Sequence, residues 1–152
     1  MNRLPRWLVP ALLLSLVLVA VVAGCAPAAQ NTASATLPAL LSPQDAQSRL
    51  QADPEHTVLV DVRTNDEWTN DGRAANAVLI PLDQLASRAN SELNKEDTII
   101  VVCRSGNRSQ TGAAQLRQMG FQNVSEVQGG MRNWVAAGLP IVCDVATCGL
   151  AQ

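Results

Sequence analysis

Two short apolar runs constrain this chain more than any other feature. "TVLVDV" spans residues 57–62 and "DTIIVV" spans residues 97–102. Both are continuous rather than alternating, which predicts strands buried on both faces of a sheet. About 35 residues separate them, too many for a hairpin and enough for a crossover helix, so they predict parallel neighbours. The pattern extends in both directions. Ser42 as N-cap, Pro43 and Asp45 open a helix to about Ala52. Thr64 and Glu67 form a capping box for a short helix through Trp68. "AVLIPL" (77–82) predicts a strand stopped by proline, and residues 82–93 an amphipathic helix. A helix from about Arg108 to Met119 is ended by Gly120. "NVSEV" (123–127) gives a fourth strand, and residues 131–137 a last helix ended by Gly138. Strands alternating with helices define an α/β domain, a mostly parallel sheet with helices on both faces. Sites in such sheets gather at the carboxyl ends of the strands.

Composition agrees. Aromatic residues are 3% of the chain while hydrophobic residues are 47%, so Val, Ile, Leu and Ala fill the core. That suits an α/β domain better than a β-sandwich or an aromatic stacking platform for single-stranded nucleic acid. At 152 residues the chain has room for one ordinary domain. The first 24 residues read as a signal peptide: Arg3 and Arg6, then the apolar run Trp7–Ala23, ending in "VVAGC" (21–25). This resembles a bacterial lipobox, which implies lipidation of Cys25 and a membrane anchor outside the cytoplasm. An uncleaved signal anchor is the alternative, and it places the domain on the same side. Without Arg3 and Arg6 the net charge moves from −2 to −4, an unfavourable balance for nucleic-acid binding. Residues 25–39 hold no charge and few large side chains, a flexible tether. The folded domain is expected over residues 40–142 and a short tail over 143–152.

The third strand runs into "CRSGNRS", residues 103–109. A thiol reacts when its thiolate is stabilised. The turn and the helix start supply backbone N–H groups and partial positive charge. Gly106 and Asn107 tolerate positive φ, and Arg104 and Arg108 add fork-shaped donors for an anion. An inert core cysteine would not need two arginines, a glycine and two serines in the next six positions. Cysteine phosphatases place five residues between Cys and Arg. Here Arg104, Ser105, Gly106 and Asn107 make four, a smaller loop suited to a smaller target such as one sulfur atom. The sole histidine, His56, precedes the first strand and lies at the opposite edge of the sheet, which argues against Cys–His hydrolysis. Its expected place is an exposed loop.

"CRSGNRS" with the following "GAAQLRQMGFQNVSEVQGGMRNWVAAGLP", and "VLVDVRTNDEW" before them, resemble a single-domain rhodanese, a sulfurtransferase module, over residues 40 to about 142. The resemblance implies a rhodanese-like fold and a persulfide on Cys103. It implies a donor loop of Arg104, Ser105, Gly106, Asn107 and Arg108, with Asp61 and Arg63 at the end of the first strand. The donor would be a small anion such as thiosulfate, the acceptor cyanide or a thiol, and no cofactor or metal is needed. Asp61 and Arg63 read as a strand-end salt bridge that shapes the loop, Gly129 and Gly130 as a turn beside it, and Trp134 as core packing. One departure stands out. The family carries Gly-His-Ile-Pro-Gly-Ala before its second strand, where this chain has "GRAANA" (72–77), predicting a looser turn with Asn76 in glycine's place. Cys143 and Cys148, at the end of the domain, are expected to form a disulfide that pins the tail. A redox-active pair serving Cys103 is the sharper alternative, and two thiols are too few for a metal site. Other functions compatible with the residues are a persulfide carrier or thiol-redox module acting with a partner, and an inactive rhodanese-like binding domain.

Overall fold

The structure, a computed structural model, describes residues 37–146 and 148–151. The signal segment, Cys25 and the tether up to residue 36 lie outside the described residues. Five strands form one sheet in the order β1 (Leu40–Leu41), β6 (Val124–Val127), β5 (Thr98–Val102), β2 (Thr57–Asp61), β4 (Val78–Leu79). Every neighbour in it is parallel, and Thr57–Asp61 lies in register with Thr98–Val102. The continuous apolar runs are explained by burial on both faces. Val60, Val62, Ile99, Val101 and Cys103 pack on one side with Leu85, Ala89, Ala113 and Leu116. Leu59, Ile100, Val102 and Val127 pack on the other with Ala46, Met131 and Trp134. The first group brings α3 (Leu85–Glu92) and α4 (Asn107–Gln118) onto one face. The second brings α1 (Pro43–Ala52) and α5 (Gly130–Ala136) onto the other.

Several boundaries move, each for a local reason. α2 runs Asn65–Asp71, past the expected end at Trp68, and stops where Gly72 turns to φ 86°. Its capping box is present in both directions, with Thr64 Oγ1 accepting from the Glu67 N–H and Glu67 from that of Thr64. The strand expected over 77–82 is reduced to Val78–Leu79, because Pro81 has no N–H to continue the ladder. After it, Leu82–Gln84 is a 3-10 turn, and the α-helix expected from residue 82 starts at Leu85.

The "GRAANA" segment differs more. Asn76 takes φ 60°, the left-handed conformation that glycine would supply. Arg73–Ala74, however, form β3, which pairs antiparallel with β7 (Ile141–Val142). The turn expected to be loose is thereby tied to the end of the chain, with Ala74 buried. Sequence spacing could not show this, since the partner lies about 67 residues away.

Candidate functional site

β5 is the central strand, and Cys103 follows its last residue at the carboxyl edge of the sheet. The side chain is 1% exposed. Two neighbours fix the backbone around it, the adjacent strand β2 within the sheet and the helix α5 on one face. The N–H of Val62, just past β2, donates to Val102 O at 2.9 Å. The first turn of α5 donates from Met131 N to Cys103 O at 2.8 Å and from Arg132 N to Arg104 O at 3.1 Å. Gly130 makes that approach possible. It has φ 61°, and a Cβ there would strike Cys103 O and the Arg104 backbone.

The loop then turns through Gly106, with φ 106°, into the twelve-residue α4. Gly106 N donates to Cys103 Sγ at 3.1 Å, so the sulfur sits on the N-terminal side of a helix with a backbone N–H aimed at it. Ser109 Oγ is 3.7 Å from the sulfur and donates to Gly106 O at 2.7 Å, closing the turn from inside. Glu126 Oε2 lies 3.5 Å from the same hydroxyl, and burial pushes its carboxyl above the usual range.

Both loop arginines have carboxylate partners. Arg108 makes a two-pronged pair with Glu67, 2.6 Å to each oxygen. Arg104 Nη1 donates to Asp71 Oδ2 at 2.9 Å. The Arg108 guanidinium, helped by the α2 capping bonds, holds the Glu67 carboxyl at about 2, and Glu67 in turn raises Arg108. The two side chains therefore do not stand free, as the sequence suggested. The fixed attraction for an anion at the sulfur lies first in the loop backbone and the helix start. α2 carries both anchors, Glu67 at its first turn and Asp71 at its last residue.

Asp61 and Arg63 are both fully buried. Asp61 accepts from Arg63 N, Nε and Nη2 at 2.7–3.0 Å, and Arg63 Nη2 also donates to Gly72 O at 2.8 Å. Burial raises the Asp61 carboxyl and the Arg63 donors oppose it. The pair staples the end of β2 to the end of α2. Trp134 is buried with its Nε1 donating to Pro140 O at 3.1 Å. His56 is an exposed residue at the amino end of β2, 3.4 Å from Asp97. Among the described residues, no group of three His, Cys, Asp or Glu could hold a metal ion.

Sequence reasoning missed Ser109, Glu126 and Asp71. Ser109 carried a signal as the last residue of the quoted loop. The other two are set by strand order and by the length of α2, which no local pattern encodes.

A parallel sheet whose central strand delivers a buried cysteine into a loop of backbone N–H groups defines an α/β domain with its site at the carboxyl edge of the sheet. A family model for the rhodanese-like domain matches residues 42–137, and the chain belongs to that family. It is 38% identical over 95 residues to a sulfurtransferase of Allochromatium vinosum, covering 62% of this chain and 87% of that protein. It is 34% identical over 92 residues to the chloroplastic thiosulfate sulfurtransferase 16 of Arabidopsis thaliana, covering 53% of this chain and 76% of that one. It spans 40% of the length of a Bacillus subtilis relative with which it shares 40% identity. The solution structure of the polysulfide-sulfur transferase homodimer of Wolinella succinogenes superposes with a TM-score of 0.60 at 32% identity, over 68% of this chain and 77% of that one. These relatives support sulfur transfer as the general activity.

Proposed function

We propose that the protein takes a sulfane sulfur from a small anionic donor such as thiosulfate onto Cys103 and passes it to a thiol or to cyanide. One observation carries the reading: the Cys103 sulfur is buried, yet receives the Gly106 N–H at 3.1 Å at the start of α4. A backbone N–H aimed at the sulfur from a helix start is placed to meet negative charge that develops there during transfer. The thiolate attacks the outer sulfur of thiosulfate. A Cys103 S–S bond forms, the donor S–S bond breaks, and sulfite leaves with the bonding pair. Loop amides from Arg104 to Arg108 receive the persulfide. An acceptor thiolate or cyanide then takes the outer sulfur and returns Cys103 as thiolate. No general base is built into the step, because a thiolate attacks a soft sulfur directly and sulfite is a good leaving group. Arg104 and Arg108, oriented by Asp71 and Glu67, guide the incoming anion.

The N-terminal segment supports an extracytoplasmic location with Cys25 as the lipid-bearing residue. The test of sulfur transfer is the intact mass of the reduced protein before and after thiosulfate, beside Cys103→Ser. The expected result is one added sulfur that is absent in the variant and removed by cyanide. No added sulfur on the wild type would overturn the thiosulfate reading. It would favour delivery of a persulfide by a partner protein.

A further inference from the structure

The end of the chain reaches the sulfur loop through contacts that sulfur transfer itself does not use. β7 pairs with β3, and just beyond it Cys143 and Cys148 form a disulfide. Inside that small loop Asp144 accepts from both terminal nitrogens of Arg73, 2.9 Å for Nη2. Cys148 is buried, and its sulfur occupies the place where a side chain on Gly72 would begin. Gly149 lies against the Asp71 carboxylate and Asn70 O. Leu150 packs on the core beside Leu59, Met131 and Trp134. The covered residues are the ones that hold the loop. Asp71 accepts from Arg104, and Gly72 O accepts from the buried Arg63.

We propose that the Cys143–Cys148 disulfide is a redox-controlled clasp on the sulfur loop. Closed, it holds the turn from α2 to β3, and with it Arg104, in place for an anionic donor. Opened by a dithiol reductant, it releases that turn and donor binding weakens. The inference rests on the reading of Cys103 as the sulfur carrier. Without the disulfide, the tail keeps a two-residue antiparallel ladder, marginal on its own, and an ion pair exposed to solvent screening. The disulfide does not join the tail to the domain; it closes the loop from 143 to 148 and so fixes where Cys148, Gly149 and Leu150 meet the α2 turn and the core. Opening takes two electrons. A reductant thiolate attacks the exposed Cys143 sulfur, the disulfide breaks, and the bonding pair leaves on Cys148. The second thiol of the reductant then displaces Cys143 and closes its own disulfide, and its two protons end on Cys143 and Cys148.

The test compares the full chain in detergent in three forms: oxidised, reduced with a dithiol that is then removed, and Cys143→Ser/Cys148→Ser. Opening is expected to raise KM for thiosulfate roughly three- to fivefold with little change in kcat, the ratio that an exposed ion pair supplies. It is expected to do so far less in an Asp71→Asn background, where the link to Arg104 is already cut. Amide exchange should speed up at residues 72–74 and also at 104–106. Equal KM values, an effect undiminished by Asp71→Asn, or faster exchange confined to 141–151 would overturn the clasp. If thiosulfate loads neither form, the proposed donor chemistry fails, and the exchange pattern at 104–106 alone decides the clasp.

Discussion

Glu67 holds two elements at once. Its carboxylate caps α2 and pairs with Arg108 at the start of α4, with the side chain largely shielded from solvent. Glu67→Gln keeps the shape but removes the charge from both contacts, and a cost of about 1–3 kcal/mol is expected. Because the folded carboxyl titrates at about 2 against an ordinary 4.5, its contribution is complete above pH 4.5. It fades as the pH falls toward 2. Urea unfolding of wild type and Glu67→Gln should therefore show the largest stability gap near pH 6 and a smaller one at pH 3. A gap independent of pH would mean that the Arg108 pair contributes little. The residue scale is also where the sequence was most and least informative. Cys103, its turn glycine and the asparagine at 76 follow from local chemistry. The carboxylates facing Arg104 and Arg108 do not, because a charge read along the chain has no visible partner. Two arginines that looked free are paired through α2.

At the scale of elements, α5 reaches into the sulfur loop only because Gly130 lets it. Gly130 and Gly138 both have positive φ, but a Cβ at 138 would meet nothing within 4 Å while one at 130 would strike Cys103 O. The two substitutions to alanine separate backbone strain from collision. Gly138→Ala should cost about 1–2 kcal/mol and leave sulfur loading unchanged. Gly130→Ala should cost about 1–3 kcal/mol more and slow loading, since the loop itself must shift. Melting temperatures and persulfide formation rates check both, and equal losses would refute the close approach. Buried strands and capped helices were legible because apolar runs, Ser42, Thr64 and Gly120 act locally. β1 and the β3–β7 pair were not. Each is only two residues long, with no periodicity to detect, and exists through its neighbours. The helix expected from residue 82 starts at Leu85, because Leu82–Gln84 close a tighter 3-10 turn that the same apolar spacing does not distinguish.

At the scale of the molecule, the domain begins at an edge strand and its tail returns to the α2 turn. Among the described residues no helix is long and apolar enough to cross a membrane. Attachment, as proposed, then depends on Cys25 and the segment before it. Acyl labelling of the wild type should be lost in Cys25→Ser, together with the mass change from cleavage before residue 25. A wild-type chain that takes no acyl label and yet fractionates with the membrane would point to a signal anchor. The contact of Cys148 with Gly72 carries a different kind of consequence, one of inheritance. While the disulfide stands, position 72 is closed to any side chain. Loss of the sulfur would leave φ 86° and ψ 164°, a backbone region open essentially to glycine, with Ile141 Cδ1 3.2 Å from where a Cβ would stand. A lineage that sheds the cystine therefore gains no freedom at residue 72, which stays glycine on account of its own backbone.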